Sequence, residues 1–173
     1  RCTYCAFVTA RFTPARATRY VERLLTELDL LADALPAPER RIDSLYLGGG
    51  TPSLLPVSAL AALHQRVQTR FDAAPDTEIT LEANPRDVDP GRASAWRHLG
   101  ITRVSLGAQS SDPELLRRLG RDHGPGDTAR AVHTLRESGF ANLSLDLIAG
   151  LPGQSLARDI DWLLALAPEH VSV

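Results

Sequence analysis

Methionine is absent from the 173 residues, and the only cysteines are Cys2 and Cys5. Two thiols cannot form a disulfide framework for a chain of this length, so stability must come from a packed core. Aromatic residues are 5% of the chain, which excludes a core built on stacked rings and leaves Leu, Val and Ala to fill it. No apolar run approaches the length of a membrane span, and no signal peptide is visible. Neither sign of charge dominates. Basic residues number 19 and acidic residues 21, mixed along the chain for a net charge of −2. That balance argues against a nucleic-acid surface and against a polybasic membrane anchor. A reducing, cytoplasmic location is the expectation. The chain starts beside a cysteine and not with Met, and is expected to be a piece of a longer protein cut inside a motif.

What is present is an alternation of strands and helices. Arg16 to Leu35 carries Val21, Leu24, Leu25, Leu28, Leu31 and Leu35 at helical spacing. Asp43–Gly48 reads as a strand, Pro56–Phe71 as a helix, and Glu78–Ala83 as a second strand. Asp89-Pro90 opens a helix that Gly100 closes. Thr102–Ala108 is the next strand, and Asp112-Pro113 starts a short helix ending at Gly120. A helix over Asp127–Gly139, a strand over Asn142–Ala149, a helix capped by Ser155 and a strand beginning at His170 complete the pattern. Pro36–Arg41 and Ala73–Asp76 read as surface connections. Strands separated by single helices imply parallel pairing through right-handed crossovers.

The strands are not apolar on both sides, as a doubly covered parallel sheet requires. Ile79 and Leu81 alternate with Thr80 and Glu82, Val104 and Leu106 with Ser105 and Gly107, and Leu143, Leu145 and Leu147 with Ser144 and Asp146. One face should meet helices while the other holds a ligand. The fold class is therefore α/β, as a wide or partly open parallel barrel. Active sites of such barrels sit at the carboxyl ends of the strands, where Glu82, Gln109, Asp146 and the turn Gly48–Thr51 would lie.

Cys2 and Cys5 are spaced to share a metal or iron–sulfur group. A redox pair or chance proximity stays open on the residues alone. Gly48-Gly49-Gly50-Thr51-Pro52 lacks the Gly-Lys-Ser/Thr of a phosphate loop. Its free amides could bind an anion, or it could be a tight strand-to-helix turn. Glu82 and Asp146 are carboxylates on apolar strands, where burial without a partner is costly. Arg121 could form a bidentate pair with a carboxylate. His64, His98, His133 and His170 read as surface or helix residues, and His123 lies beside Arg121.

Taken in order, Arg1–Phe7, Tyr46–Ser53, Leu81–Pro85, Arg103–Ser110, Leu119–His123 and Asp146–Gln154 resemble the radical S-adenosylmethionine superfamily. Within it they are similar to the branch of oxygen-independent coproporphyrinogen oxidases and HemW-type heme chaperones. The resemblance implies a TIM-barrel-like core of the (βα)6 type, missing its first strand and most of its last. Residues 1–173 would be a single incomplete domain, with the family's C-terminal domain absent. In the motif Cys-x-x-x-Cys-x-aromatic-Cys, Cys2 and Cys5 match the last two cysteines and Tyr4 the aromatic, which puts the first cysteine three residues before Arg1. The implied cofactors are a 4Fe–4S cluster and S-adenosylmethionine, whose reductive cleavage yields methionine and a 5′-deoxyadenosyl radical.

By the same matching, Gly49, Gly50 and Thr51 would meet the methionine amino and carboxylate end, and Glu82 and Gln109 the methionine or ribose. Arg121 would meet the carboxylate, Asp146 the ribose hydroxyls, and backbone near Tyr4 and Phe7 the adenine. Oxidases of the branch carry a further cysteine where this chain has Phe7, which points to a chaperone that binds heme for delivery to hemoproteins. The alternative is an enzyme that oxidatively decarboxylates coproporphyrinogen III. Implied partners are heme or a porphyrinogen, recipient hemoproteins and an electron donor.

Overall fold

The computed structural model describes residues 2–8 and 10–173, so Arg1 of the first motif lies outside the described residues. The elements run α1 (Pro14–Ala34), β1 (Arg41–Leu47), α2 (Val57–Arg70), β2 (Asp72–Ala83), α3 (Pro90–His98), β3 (Arg103–Gln109) and α4 (Pro113–Arg118). They continue with α5 (Pro125–Glu137), β4 (Asn142–Leu147), α6 (Leu156–Ala165) and β5 (His170–Ser172). All five strands join one parallel sheet in the order β1-β2-β3-β4-β5. The sheet is open, with β1 and β5 at its two edges. This is the expected α/β architecture of a partial, unclosed barrel.

Local chemistry sets the helix starts. Thr13 accepts a hydrogen bond from the Arg16 amide at α1, Asp89 from the Arg92 amide at α3, and Asp112 from the Glu114 and Leu115 amides at α4. At α5 the Asp127 carboxylate takes the Gly124 amide at 2.7 Å. Each satisfies an amide that the helix itself cannot. Proline fills the first turn of these four helices, where its missing N–H costs nothing.

Some details depart from the sequence pattern, among them that α1 starts at Pro14 and β1 at Arg41. β2 begins at Asp72, so Ala73–Asp76 is irregular strand and not a connection. Asp72 and Ala73 pair with Arg41 and Ile42, and a register shift then passes to Ser44 opposite Glu78. Pro75, which cannot donate to a ladder, falls inside that irregularity. α5 starts at Pro125, two residues early, because Gly124 carries the cap. Ser155 stands at the start of α6, but its side chain makes no capping bond there.

Register separates the faces of the sheet. Leu81 lies opposite Val104, and Val104 opposite Leu143; Glu82 lies opposite Ser105, and Ser105 opposite Ser144. Leu81, Val104, Leu106, Leu143 and Leu145 are completely buried against Leu60, Trp96, Leu135 and Leu163 from the helices and Phe140 from the loop before β4. The other face carries Thr80, Ser105 and Ser144, small enough to be covered by their neighbours. Thr80 Oγ1 donates to Glu78 and accepts from the Arg103 guanidinium. α1 packs mainly on α2, where Arg66 and Arg70 pair with Asp29 and Asp33. Among the described residues, no helix is long and apolar enough to cross a membrane.

Trp96 is completely buried, yet its indole N–H has no hydrogen-bond partner among the described residues. In urea denaturation of the full-length protein, Trp96→Ala should cost about 3–5 kcal/mol through the cavity it leaves. Trp96→Phe should cost much less, because it also deletes the unsatisfied donor.

Candidate functional site

The turn after β1 closes onto β2 through one carboxylate. Glu82 accepts the Tyr46 hydroxyl at 3.0 Å on Oε1 and the Gly49 amide at 2.9 Å on Oε2. A Cβ on Gly48 would stand 2.5 Å from the Tyr46 ring and 2.8 Å from the Glu82 carboxyl carbon, so this approach requires glycine. Gly49 has φ +99, and the Cβ positions of Gly49 and Gly50 meet nothing within 4 Å. The two glycines form the floor of an open cradle, with exposed Thr51 at its end. Ser53, completely buried, anchors the turn from behind: it donates to Asp87 at 2.6 Å and accepts the Asn84 amide at 3.3 Å. Arg92 donates to its carbonyl.

Asp146, at the end of β4, accepts the Ser105 hydroxyl at 3.0 Å. Burial raises its pKa above the usual carboxylate range; the Ser105 bond opposes this, nearby Glu82 adds to it, and Arg103 and Arg121 oppose it. Burial, together with the bond to Glu82 and its charge, also lifts the Tyr46 hydroxyl. Two carboxylates, a phenol and two guanidiniums thus share one face of the sheet.

Gln109 ends β3 in the left-handed region, at φ +69, with its side chain buried beside Gly107. The strand is irregular between Leu106 and Gln109, and the Gln109 carbonyl takes the Ile148 amide. Arg121 reaches back across Gly107, donating from Nη2 to the Gly107 carbonyl at 2.9 Å and from Nη1 to Cys2 Sγ at 3.5 Å. Its Nε is buried and has no partner among the described residues. Gly120, with φ +73 just after α4, turns the chain so that Arg121 can do this. A Cβ on Gly107 would stand 2.9 Å from both Arg121 Nη2 and Gln109 Nε2.

The cysteine segment docks on the end of α4. The Thr3 amide and hydroxyl donate to the Leu119 and Arg118 carbonyls, and the Cys5 amide donates to the Cys2 carbonyl. Both cysteines are half-buried, and neither forms a disulfide. The Tyr4 phenol lies by Cys2 and Arg121; burial raises its pKa, Arg121 opposes that, and the two thiols reinforce it. Phe7 stands 60% exposed at the end of the segment. His123 is buried, and since its Nε2 faces the Ala108 carbonyl it must carry the proton there. Burial first, then Arg121, depress its pKa.

The structure therefore gathers Cys2, Cys5, Tyr4, Gly49, Gly50, Thr51, Glu82, Gln109, Arg121 and Asp146 around the carboxyl edge of the sheet. It leaves Phe7 at the margin. Tyr46 and Ser53 flank the glycine motif but were given no role; the alternation that marked Glu82 also puts Tyr46 on its face, whereas no alternation marks Ser53. An apolar groove of about 560 Å³ among Phe12, Ala17, Val21, Leu54 and Pro56 contains none of these residues.

The donor set suits a zwitterionic nucleoside ligand. The open space over Gly49 and Gly50 can admit a ligand and the orphaned Arg121 Nε–H can donate to a carboxylate, while Glu82 and Asp146 can accept from an ammonium or from hydroxyls. The two thiols are the right chemistry for an iron–sulfur cluster. Among the described residues, no third ligand completes a metal-binding group.

The chain as a whole is similar to known proteins. The chain is 42% identical to the heme chaperone HemW of Mycobacterium tuberculosis over 99% of its own length and 45% of that protein. It is 39% identical to HemW of Escherichia coli over 99% and 46%. With the oxygen-independent coproporphyrinogen III oxidase of Paracoccus denitrificans the identity is 37%, over 99% and 39%. The chain thus spans less than half the length of these relatives. Among solved structures, the coproporphyrinogen III oxidase HemN of Escherichia coli, a radical SAM enzyme, superposes with a TM-score of 0.87 at 26% identity, over 99% of this chain and 41% of that one. A sequence model of the Radical SAM superfamily matches residues 1–164. The chain belongs to that superfamily, whose cofactors are a 4Fe–4S cluster and S-adenosylmethionine.

Proposed function

We propose that residues 1–173 are the core domain of a HemW-like heme chaperone, a cytoplasmic protein that binds a 4Fe–4S cluster, S-adenosylmethionine and heme for delivery to hemoproteins. The observation that carries this reading is Phe7. An exposed phenyl group stands at the end of the cysteine segment, where oxidases of the branch would have a further thiol. Similarity to two heme chaperones over 99% of the chain supports it. The oxidase reading, radical decarboxylation of coproporphyrinogen III, is favoured by the superposition on HemN.

In either reading Cys2 and Cys5 would hold the cluster, with a third cysteine supplied from before Arg1. When bound, the cluster and S-adenosylmethionine supply one-electron radical chemistry. The chain's own residues bind and orient. Gly49, Gly50 and Thr51 line the cradle for the amino-acid end of the ligand, and Arg121 offers its unpartnered Nε–H to the carboxylate. Glu82, held in place by Tyr46 and the Gly49 amide, accepts from the methionine or ribose, with Gln109 beside it. Asp146, fixed by Ser105, accepts the ribose hydroxyls, and backbone near Tyr4 and Phe7 faces the adenine.

The full-length protein, reconstituted anaerobically with iron and sulfide, should leave coproporphyrinogen III unchanged when given S-adenosylmethionine and a reductant, as read by mass spectrometry, and should bind heme in an absorbance titration. Loss of two carboxyl groups, dependent on Cys2 and Cys5, would establish the oxidase instead.

Asp146→Ala should weaken S-adenosylmethionine binding about tenfold with iron content unchanged, the scale of one hydrogen bond to a charged group. Unaltered affinity would remove the ribose role. The ionised carboxylate is the stronger acceptor and burial raises its pKa, so wild-type affinity should fall as pH drops through a value above the ordinary carboxylate range. Asp146→Asn should flatten that portion of the profile.

A further inference from the structure

The most heavily bonded carboxylate in the described chain lies outside the residues assigned above. Asp159 sits in the first turn of α6 and is 1% exposed. Its oxygens accept the Ser110 hydroxyl at 3.1–3.2 Å, the Ser111 amide at 2.6 Å, the Ser111 hydroxyl at 2.5 Å and the Gln154 side-chain amide at 2.8 Å. None of these donors belongs to α6. Two residues come from the segment after β3, directly following Gln109, and one from the loop after β4. Gln154 also donates to the Ile148 carbonyl at 2.6 Å and accepts the Leu151 amide at 3.1 Å. The Ile148 amide in turn donates to the Gln109 carbonyl. The bonds form a closed ring: Gln109, Ser110 and Ser111, Asp159, Gln154, Ile148, and back to Gln109. Arg158, the preceding residue, donates to Asp112 and ties α6 to the same segment again.

We propose that Asp159 is a positioning residue, whose buried carboxylate holds Gln109 and the loop after β4 in the conformation that presents them at the ligand-facing rim. Gln109 needs such a hold. A non-glycine residue at φ +69 is strained and persists only where its surroundings over-determine it. A merely structural residue at position 159 would not need a charge, since an apolar side chain fills a buried helix position at lower desolvation cost. The carboxylate is instead matched to four donors. Burial alone would raise the Asp159 pKa, but the bonds from Ser111, Gln154 and Ser110 outweigh it and hold the group below the usual carboxylate range. The group is therefore ionised at neutral pH, with both oxygens available as acceptors.

The proposal rests on the cofactor reading, in which Gln109 contacts the methionine or ribose, and its test separates the two. In the full-length protein, Asp159→Asn keeps the side-chain shape but turns an amide toward donors. Leu163→Ala, one turn along the same helix's buried side, damages the core without touching the ring. Hydrogen–deuterium exchange at Ser111, Asp112, Ile148 and Leu151, and titration with S-adenosylmethionine, are read for both variants. Asp159→Asn should speed exchange at these amides, and weaken binding, by about tenfold, the loss of one charge-assisted bond. Leu163→Ala should lower the unfolding midpoint while leaving these two readouts near wild type. Ser111→Ala, which deletes one donor and nothing from the core, should give a smaller change at the same amides. Unchanged exchange in Asp159→Asn, or the same pattern in Leu163→Ala, would reduce Asp159 to a fold-stabilising residue and overturn the proposal. Absence of S-adenosylmethionine binding by the wild type would refute the cofactor reading, while the exchange comparison would still decide the positioning role.

Discussion

The apolar layer between the sheet and its helices is the constraint on which the rest depends. Leu81, Val104, Leu106, Leu143 and Leu145 come from three neighbouring strands and point the same way, because parallel register keeps like with like. A slip of one residue in any pair would turn Glu82, Ser105 or Asp146 into that layer and a leucine out of it. The hydrophobic effect thus fixes the register. The register then fixes which polar groups meet on the opposite face.

That opposite face is unusual for a parallel sheet in carrying partners instead of a second apolar layer. Hydroxyls of Thr80 and Ser105 are matched to Glu78 and Asp146, and Glu82 is matched to Tyr46 and Gly49. Away from the rim, hydroxyls and carboxylates of this face are largely paired with one another, although Asn142 Oδ1 at the amino end has no partner among the described residues. Toward the carboxyl edge they run short of partners: Arg121 Nε is orphaned and the Gly49–Gly50 cradle is open. The convergence of the open glycine turn, two carboxylates and Arg121 at the carboxyl edge is the physical basis for placing a ligand there. Behind the rim, Ser53–Asp87 and the Asp159 ring brace the loops from the helical side.

Strand and helix identity were legible because period-2 and period-3.6 patterns are local. Glu82 and Asp146 were legible because a carboxylate flanked by leucines is chemically conspicuous. The early start of β2 was not, since Ala73–Asp76 has turn-like composition and pairs only through an irregular register with β1. Asp159 was not either. In a helix with apolar neighbours it reads as an ordinary polar position, and its partners Ser110 and Ser111 lie 49 and 48 residues away. Ser155 looked like a cap by residue type, but its side chain makes no such bond.

By itself the sequence determined an α/β chain of parallel strands with one apolar and one polar face, a paired-cysteine segment and a glycine turn, and hence the family. These follow from side-chain periodicity and from short motifs whose chemistry is contained within a few residues. Only the tertiary structure decided that Arg121 bridges Gly107 to Cys2, that Glu82 holds the glycine turn through Tyr46, and that Asp159 ties two rim loops together. Most of these contacts join distant parts of the chain, 33 residues apart for Gly49 and Glu82, 48 for Ser111 and Asp159, and 119 for Cys2 and Arg121. Their geometry exists only once packing has set the register of the sheet and the seat of each helix upon it.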